Sequence, residues 1–308
     1  MEGKTKAGCE GQRKRENRDQ RLAEEVKEES QNEQNMSESS GENNFSAVEQ
    51  DIEAAKRAAG GQGESLEKIY NGYFSSRENC EIFAENIPPE IFELENPTII
   101  DAGSSQGILG NYIREKFIAS SKKAKLVMVD MNKVAMEKSP VQADKVVGDL
   151  VKNPLPDESA DIVLLRSVLQ YVEGKDQAAI LRQIYRVLKP GGILVSQFGS
   201  FKDKEQAEAF NGIFGFAHRK VSFSGKEEGI ALHEQIFDEI SRISVGPKLY
   251  EKFDEFFVTR VNASPADIAE AKKYISEHVE RLGEVLTRKD NPYAWKIPYT
   301  IITCKKKE

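Results

Sequence analysis

The chain has 308 residues, with 44 Lys and Arg against 51 Asp and Glu, so its formal net charge is −7. This charge argues against nucleic acid as a partner, because a negatively charged protein is repelled by the phosphate backbone. No run of residues approaches the ~18 apolar positions that span a bilayer, and the first residues lack the apolar segment of a secretory signal, so we expect a cytoplasmic protein without a membrane span. The cysteines and histidines have neither disulfide nor metal-ligand spacing, so no metal site is expected at Cys9, Cys80, Cys304, His218, His233 or His278.

The first 63 residues differ in composition from the rest of the chain. Between Met1 and about Asn44 there is no aromatic residue and no isoleucine, and such a segment cannot bury enough apolar surface to offset its chain entropy. We predict a disordered, charged tail over 1–63, with a short amphipathic helix at 45–59, followed by a folded domain over 64–308. A docking arm is the alternative interpretation of the tail.

From residue 65 onward, patterns typical of helices and strands alternate. Helices are expected at 65–73, capped by Ser65, at 78–85, ending before Pro88, and between the later strands at 108–120 and 178–188. Short Val-, Ile- and Leu-rich runs separated by helices indicate a parallel sheet covered on both faces. We therefore predict an α/β fold with a doubly wound, seven-stranded, mostly parallel, Rossmann-like sheet. The predicted strands are PTIIDAG, KLVMVD, DKVVGD, ADIVLLRSVL, GGILVSQF, FFVTRV and IPYTIITCKKK.

Residues 201–290 differ from this alternating pattern and are predicted to form a helical insert, or cap, within the domain. FFVTRV is the expected strand inside it. The segments with a helical pattern are KEQAEAFNGIFGFA, LHEQIFDEISRI and SPADIAEAKKYISEHVERLGEVL.

Acidic and small residues follow three consecutive predicted strands. The first strand leads through Asp101 into the small residues 102–107 and then a helix, where a ligand can approach the backbone closely. The second ends at Asp130, placed to accept hydrogen bonds from a ribose diol, and the third at Asp149, placed to accept from an exocyclic amine. A tight turn without a ligand also explains the first signal, and a helix N-cap also explains the second. The residues at the exits of these three strands, that is, at their carboxyl ends, together predict a ligand site at this edge of the sheet.

Four sequence blocks that contain these exits resemble the class I S-adenosylmethionine-dependent methyltransferases. The resemblance runs from about Thr98 to Lys307 and is strongest to the group that includes the ubiquinone and menaquinone biosynthesis C-methyltransferases. Its most specific parts are the LPDESADIV segment and the LKPGG turn. It implies S-adenosylmethionine as the cofactor and methyl transfer as the activity. The four blocks are IIDAGSSQG, LVMVDMN, VVGDLVKNPLPDESADIVLLRSVLQYV and LRQIYRVLKPGGILV.

The resemblance also implies roles for residues at the strand exits. The turn after the first strand would line the methionine and ribose, Asp130 would bind the ribose hydroxyls, and Met131 would pack on the adenine. Asp149 and Leu150 would contact the adenine edge, and Arg166 would close the floor near the methionyl group. Two positions depart from the family pattern: Ser105 replaces its second glycine, and Ala160 replaces a phenylalanine. The implied cofactor-binding residues are Asp101, Gly103, Ser104, Ser105, Gly107, Asp130, Met131, Asp149, Leu150 and Arg166.

A dinucleotide site is the competing interpretation. It requires G-x-G-x-x-G and an acid about 20 residues further on, whereas this chain offers only Gly103 and Gly107, with Asp130 further downstream. The family has no universal catalytic residue, and none is predicted here. The candidates for the acceptor pocket are Tyr70, Tyr73, Ser167, Gln170 and Tyr171, with His233 as a base or a packed side chain, and with Phe210, Phe214 and Phe216 as a lid or as helix packing.

Three functions are therefore considered. The first is methyl transfer to a small or medium organic acceptor, which suits a capped crevice. The second is a protein or RNA methyltransferase that docks through its charged tail, and the third is an inactive cofactor-binding regulator. The sequence predicts neither the acceptor nor the oligomeric state.

Overall fold

The computed structural model describes residues 73–260, 262–287 and 294–308. The predicted tail, the helix at 45–59, the helix start at Ser65 and the domain start at residue 64 lie outside these described residues. Among the described helices, none combines the length and the apolar character needed to cross a membrane. Cys80 and Cys304 are buried free thiols.

A mixed sheet forms the centre of the structure, with the strand order β3-β2-β1-β4-β5-β9-β7. The pairs among β1 to β5 are parallel, whereas β9 runs antiparallel to both of its neighbours, β5 and β7. This arrangement confirms the predicted doubly wound α/β fold. The strands are β1 (Thr98–Ala102), β2 (Lys125–Asp130), β3 (Asp144–Val147), β4 (Ala160–Arg166), β5 (Leu188–Phe201), the two-residue β6 (Ser224–Gly225), β7 (Glu239–Lys252), the two-residue β8 (Leu286–Thr287) and β9 (Ala294–Lys305).

Helices cover both faces of this sheet. On one face α1 and α2 pack on alternate residues of the strands, such as Ile99 and Met128. On the other face α4 and α6 pack on the intervening residues, such as Ile100 and Val129. The alternation follows from the two-residue period of a strand. The helices are α1 (Arg77–Ala84), α2 (Ile108–Ala119), α3 (Lys133–Lys138), α4 (Gly174–Val187), α5 (Lys204–Gly215), α6 (Lys226–Glu234), α7 (Pro265–Glu277) and α8 (Val279–Leu282).

A third apolar cluster lies where β5, β7 and β9 extend beyond the shorter strands. α5 and α7 pack there around an aromatic group centred on Trp295, which is fully buried. The aromatic neighbours of Trp295 are Phe210, Phe253, Phe256 and Phe257.

Two predictions for the region after β5 were wrong. The helix expected at 232–243 ends at Glu234, and Glu239–Lys252 forms the edge strand β7 instead. The strand expected for FFVTRV is a π-helical turn at Glu255–Arg260. Tertiary pairing decides the first case, because β7 forms a long ladder with β9, a partner more than 40 residues away in the chain. The division of the chain at 201–290 stays a prediction.

Candidate cofactor site

The turn between β1 and α2 requires unusual backbone angles at three positions. Gly103 and Gly107 have φ values of 69° and 74°, and Ser105 has a φ of 48°. A Cβ at Gly107 would lie 2.5 Å from the Met128 sulfur, and one at Gly103 would collide with Val168. The two glycines are therefore required by the packing as well as by φ. Ser105 occupies the left-handed conformation where the family pattern has a glycine.

Asp130, at the end of β2, is the residue to which the β1 turn is attached. Its Oδ2 accepts from the Ser105 backbone N–H at 2.6 Å, and its Oδ1 accepts from the Asn132 N–H at 2.8 Å. Burial raises the pKa of the Asp130 carboxyl, and these backbone bonds oppose that shift. Each oxygen keeps a second lone pair that can accept from a ligand hydroxyl.

The exit of β3 lies beside that of β2, because the Gly148 N–H donates to the Asp130 carbonyl at 3.0 Å. Asp149 is half-buried, and its Oδ1 accepts from the Val151 N–H at 2.9 Å. Met131 is 44% exposed, whereas Leu150 is buried in the core. Met131 therefore offers an exposed apolar surface at the end of β2, whereas Leu150 is part of the core.

Asp101 of β1 and Arg166 of β4 are close enough for the Arg166 charge to act on the Asp101 carboxyl. Asp101 is buried, its Oδ2 accepts from the Gly110 N–H at 2.9 Å, and burial raises its pKa to about 7, which the positive charge of Arg166 opposes. Arg166 itself donates to the Phe74 carbonyl and to the Cys80 sulfur at 3.6 Å. Arg166 thus joins β4 to the segment that precedes and begins α1.

Tyr73, in that segment, contacts β5, β7 and β9. The Tyr73 hydroxyl donates to the Pro247 carbonyl and accepts from Gln197 Nε2 at 3.2 Å, while its ring stacks on Tyr299 with centroids 5.6 Å apart. Burial raises the pKa of both phenols. Tyr73 was predicted as a candidate for the acceptor pocket, but Gln197 and Tyr299 were not. Each lies in an apolar strand, where a single polar residue does not indicate a functional site.

The structure also separates the other acceptor candidates. Ser167 lies beside the Tyr299 phenol, and Tyr171 is exposed, while Tyr70 lies outside the described residues. Gln170 and His233 are buried together in a small cavity. Phe210 and Phe214 are buried packing residues of the third cluster, and Phe216 is half-buried against it.

Ser104, which was predicted to line the cofactor, has a different orientation from the one expected, and Asn132 was not predicted as a site residue. The Ser104 hydroxyl contacts the Met136 sulfur at 3.5 Å, and its N–H donates to the Val129 carbonyl, so the Ser104 side chain faces the core. Asn132 caps α3 through its Oδ1, and its buried Nδ2 has no hydrogen-bond partner. No sequence pattern distinguishes an asparagine with a free donor from an ordinary N-cap asparagine.

Comparison with known proteins agrees with this geometry. Residues 100–196, which contain β1, the β1 turn, Asp130, Asp149 and Arg166, match the family model for a methyltransferase domain. The chain carries a class I S-adenosylmethionine-dependent methyltransferase domain. Members of this family bind S-adenosylmethionine.

Relatives and solved structures are similar to this methyltransferase domain at low identity. Carboxy-S-adenosyl-L-methionine synthases of Klebsiella pneumoniae and Citrobacter koseri are 29% and 31% identical over 129 residues, which is 39% of this chain. The chain spans about half the length, 51%, of these relatives. YcgJ of Bacillus subtilis and a Bacillus halodurans protein assigned provisionally as a methyltransferase each align with a TM-score of 0.58 and 16% identity, covering 75% of this chain and 99% of theirs. These structures show the fold.

The residues of the methyltransferase domain fit its family's cofactor. Asp130 provides carboxylate lone pairs at a half-exposed strand exit, and Met131 lies beside it on the rim. The next residue, Asn132, has a buried Nδ2 donor without a partner among the described residues. A ribose diol and an adenine ring need these groups, an acceptor pair and an apolar surface with a polar edge.

Proposed function

We propose that the chain transfers the methyl group of S-adenosylmethionine to a small or medium organic acceptor. The observation that carries the proposal is that the carboxyl ends of four strands meet: Ser105 after β1 and Gly148 after β3 bond to Asp130 of β2, and Gly103 of the β1 turn lies against Val168 after β4. Such a crevice at the carboxyl ends of the strands is where open α/β sheets bind ligands.

The chain's own residues would hold and orient the cofactor. Asp130 would accept from the ribose hydroxyls, and the turn at Gly103–Gly107 would let the ligand lie against the backbone. Asp101 and Arg166 would face the methionyl end. The family match, the fold and the fit of the donor set support these roles. When bound, the cofactor supplies a methyl group activated by its positively charged sulfur, so the protein mainly aligns the acceptor and excludes water.

A small acceptor is favoured by what covers the crevice. The segment at Tyr73 bonds to β5 and to Pro247 of β7, and α5 and α7 pack on the extended strand ends. A closed aromatic and polar edge suits a molecule that enters whole, whereas a macromolecule needs an open approach. His233 is an unsuitable base for the reaction, because burial lowers its pKa to about 4.

Calorimetric titration tests the cofactor assignment. S-adenosylmethionine should bind the full chain, Asp130→Ala should weaken binding at least ~10-fold through the loss of charge-assisted hydrogen bonds, and NAD should not bind. Asp144→Ala is the matched control. Asp144 begins β3, so it lies at the amino ends of the parallel strands, away from the proposed site, and among the described ion pairs it pairs only with exposed Lys125. Equal effects of the two substitutions would refute the assignment.

The acceptor class needs a second measurement. Donor labelled in its methyl group is incubated with the chain and with separate small-molecule, protein and RNA fractions of a cell extract, and we expect label in the small-molecule fraction. Label in protein or RNA would contradict the proposed acceptor class. Consumption of the donor without transfer of label would indicate a reaction on the donor itself, the type that the names of the synthase relatives imply for those proteins.

A further inference from the structure

A small cavity lies behind the turn that follows β4, on the sheet face covered by α4 and α6. Its walls include Leu169 and Gln170 of the turn, Phe198 of β5, and Leu232 and His233 of α6. It has room for about one water-sized group. None of the described residues that line it carries a charge at neutral pH.

His233 presents a lone pair to this cavity. The side chain is fully buried, and its Nδ1 lies 2.7 Å from the Gly229 carbonyl. Because a carbonyl can only accept, Nδ1 must carry the hydrogen, and neutral His233 then has an unprotonated Nε2. Burial lowers the pKa of His233 to about 4, so the ring is neutral at physiological pH. The buried Nε2 has no hydrogen-bond partner.

Gln170 presents the complementary groups. It is 2% exposed, and neither Oε1 nor Nε2 of its amide has a partner. The turn is fixed in place: the Gln170 carbonyl accepts from the Ser222 N–H at 2.7 Å, and Gln177 Nε2 donates to the Leu169 carbonyl at 2.8 Å. The amide is therefore held at the cavity wall with a free acceptor and free donors.

Three unpartnered polar atoms at one buried cavity point to an occupant, because buried polar groups are nearly always hydrogen-bonded. A cation or an anion would lack a counter-charge here. We propose that the cavity binds one uncharged hydroxyl group, which donates to His233 Nε2 and pairs with the amide of Gln170. A water molecule and the hydroxyl of a small alcohol share this chemistry. The inference does not depend on methyl transfer.

His278 provides a matched comparison within the chain. Its Nδ1 also lies close to the carbonyl four residues earlier, that of Tyr274 at 2.9 Å, and its ring stacks on Tyr274 as that of His233 stacks on Phe198. It differs in being half-buried and in lying outside the cavity. His278→Phe therefore removes the same type of hydrogen bond to a backbone carbonyl and keeps an aromatic ring, without removing a ligand of the cavity.

Crystallography of the full chain tests for the occupant directly. In plain buffer we expect density for one oxygen within hydrogen-bond distance of His233 Nε2 and the Gln170 amide, which identifies water. After transfer of the crystals to methanol, density that extends by a carbon atom identifies an alcohol site, and unchanged density identifies a tightly held water. An empty cavity in both crystals, or a rotated Gln170 that bonds His233 directly, overturns the proposal.

A double-mutant cycle tests the same point in solution. Because His233→Phe and Gln170→Leu each remove one contact to a shared occupant, the double variant should lose less thermal stability than the sum of the two single losses. Gln170→Leu and His278→Phe should instead be additive. Additivity in both cycles overturns the proposal. If a variant does not fold, the nitrogen NMR signal of His233 Nε2 in the unmodified chain reports whether it accepts a hydrogen bond.

Discussion

At the carboxyl ends of β1 to β4 the methyltransferase domain presents short turns, glycines and carboxylates, whereas the extended ends of β5, β7 and β9 present large aromatic side chains. The first edge is held by backbone hydrogen bonds, such as those from Ser105 and Gly148 to Asp130. The second is held by ring contacts around Trp295 and by the stack of Tyr73 on Tyr299.

This difference separates the two tasks of the proposed reaction. A cofactor shared by a whole family can be recognised by backbone geometry and a few carboxylates, which tolerate little change. An acceptor that differs among relatives needs a surface of exchangeable side chains on a stable support. We therefore expect substitutions at the first edge to act on cofactor affinity and substitutions at the second to act on stability.

The largest expected effect is at Trp295. Trp295→Ala removes the centre of the aromatic cluster and leaves Glu251 without the indole N–H that donates to it at 3.3 Å, so the free energy of unfolding should fall by roughly 3–5 kcal/mol. Urea denaturation measures this loss. Trp295→Phe should lose clearly less. The affinity of the folded variant for S-adenosylmethionine should change by less than ~3-fold if the edges are independent, and a larger change would contradict the division.

The next effect is at Gly107. Gly107→Ala places a Cβ 2.5 Å from the Met128 sulfur at a φ of 74°, which should cost about 2–4 kcal/mol of stability through strain and overpacking. Because the turn moves to relieve the contact, S-adenosylmethionine should bind at least ~10-fold more weakly, by calorimetry.

Gly215→Ala is the control for that experiment. Gly215 ends α5, and a Cβ there would meet no atom within 4 Å. Its stability should stay within about 1 kcal/mol of the unmodified chain, with unchanged affinity. If Gly107→Ala binds the cofactor normally, the β1 turn does not hold it.

A further prediction concerns the pH dependence of stability. Burial raises the pKa of Asp101 to about 7 from an ordinary value of 3.8. The folded state therefore holds this proton more tightly than the unfolded state. The stabilisation is complete below pH ~4 and is lost as the pH rises through ~7, a change of about 4 kcal/mol for the full shift. Asp101→Asn keeps an acceptor for the Gly110 N–H and should remove this fall, as measured by urea denaturation at several pH values.

Asp144→Asn is the control for the titration. The Asp144 side chain is 63% exposed, so its variant should follow the pH curve of the unmodified chain. If the Asp101→Asn curve still falls between pH 4 and 7, another buried group causes the loss.

The difference between the two edges also explains which parts of the structure could be predicted from the sequence. The parallel strands and their exits could be predicted because each signal is local: an apolar run, an acid and small residues within a few positions. Asp130 and Gly107 were found in this way. The roles assigned there to bound cofactor atoms stay predictions, and Ser104 shows why, since its hydroxyl faces Met136.

The second edge could not be predicted because its contacts join distant parts of the chain. β7 exists through pairing with β9, and the Tyr73 hydroxyl bonds to Pro247, 174 residues away. Helical periodicity in 232–243 misled the prediction, since Ile240 and Ile243 fit a helix face as well as a strand. Only the folded structure, in which Gln197 Nε2 donates to the Tyr73 hydroxyl, identifies Gln197 as part of this edge.

The smallest effect tests whether a hydroxyl holds the segment at Tyr73 in place. Tyr73→Phe keeps the stack on Tyr299 but removes the bonds to the Pro247 carbonyl and from Gln197, so unfolding should need about 1 kcal/mol less free energy. Tyr185→Phe is the control, because the Tyr185 hydroxyl donates to the exposed carboxylate of Asp238, and its loss should cost less than about 0.5 kcal/mol. Urea denaturation of both variants decides between two structural explanations. A difference in the expected direction means that polar contacts fix the segment over the acceptor edge, and equal losses mean that ring packing alone closes it.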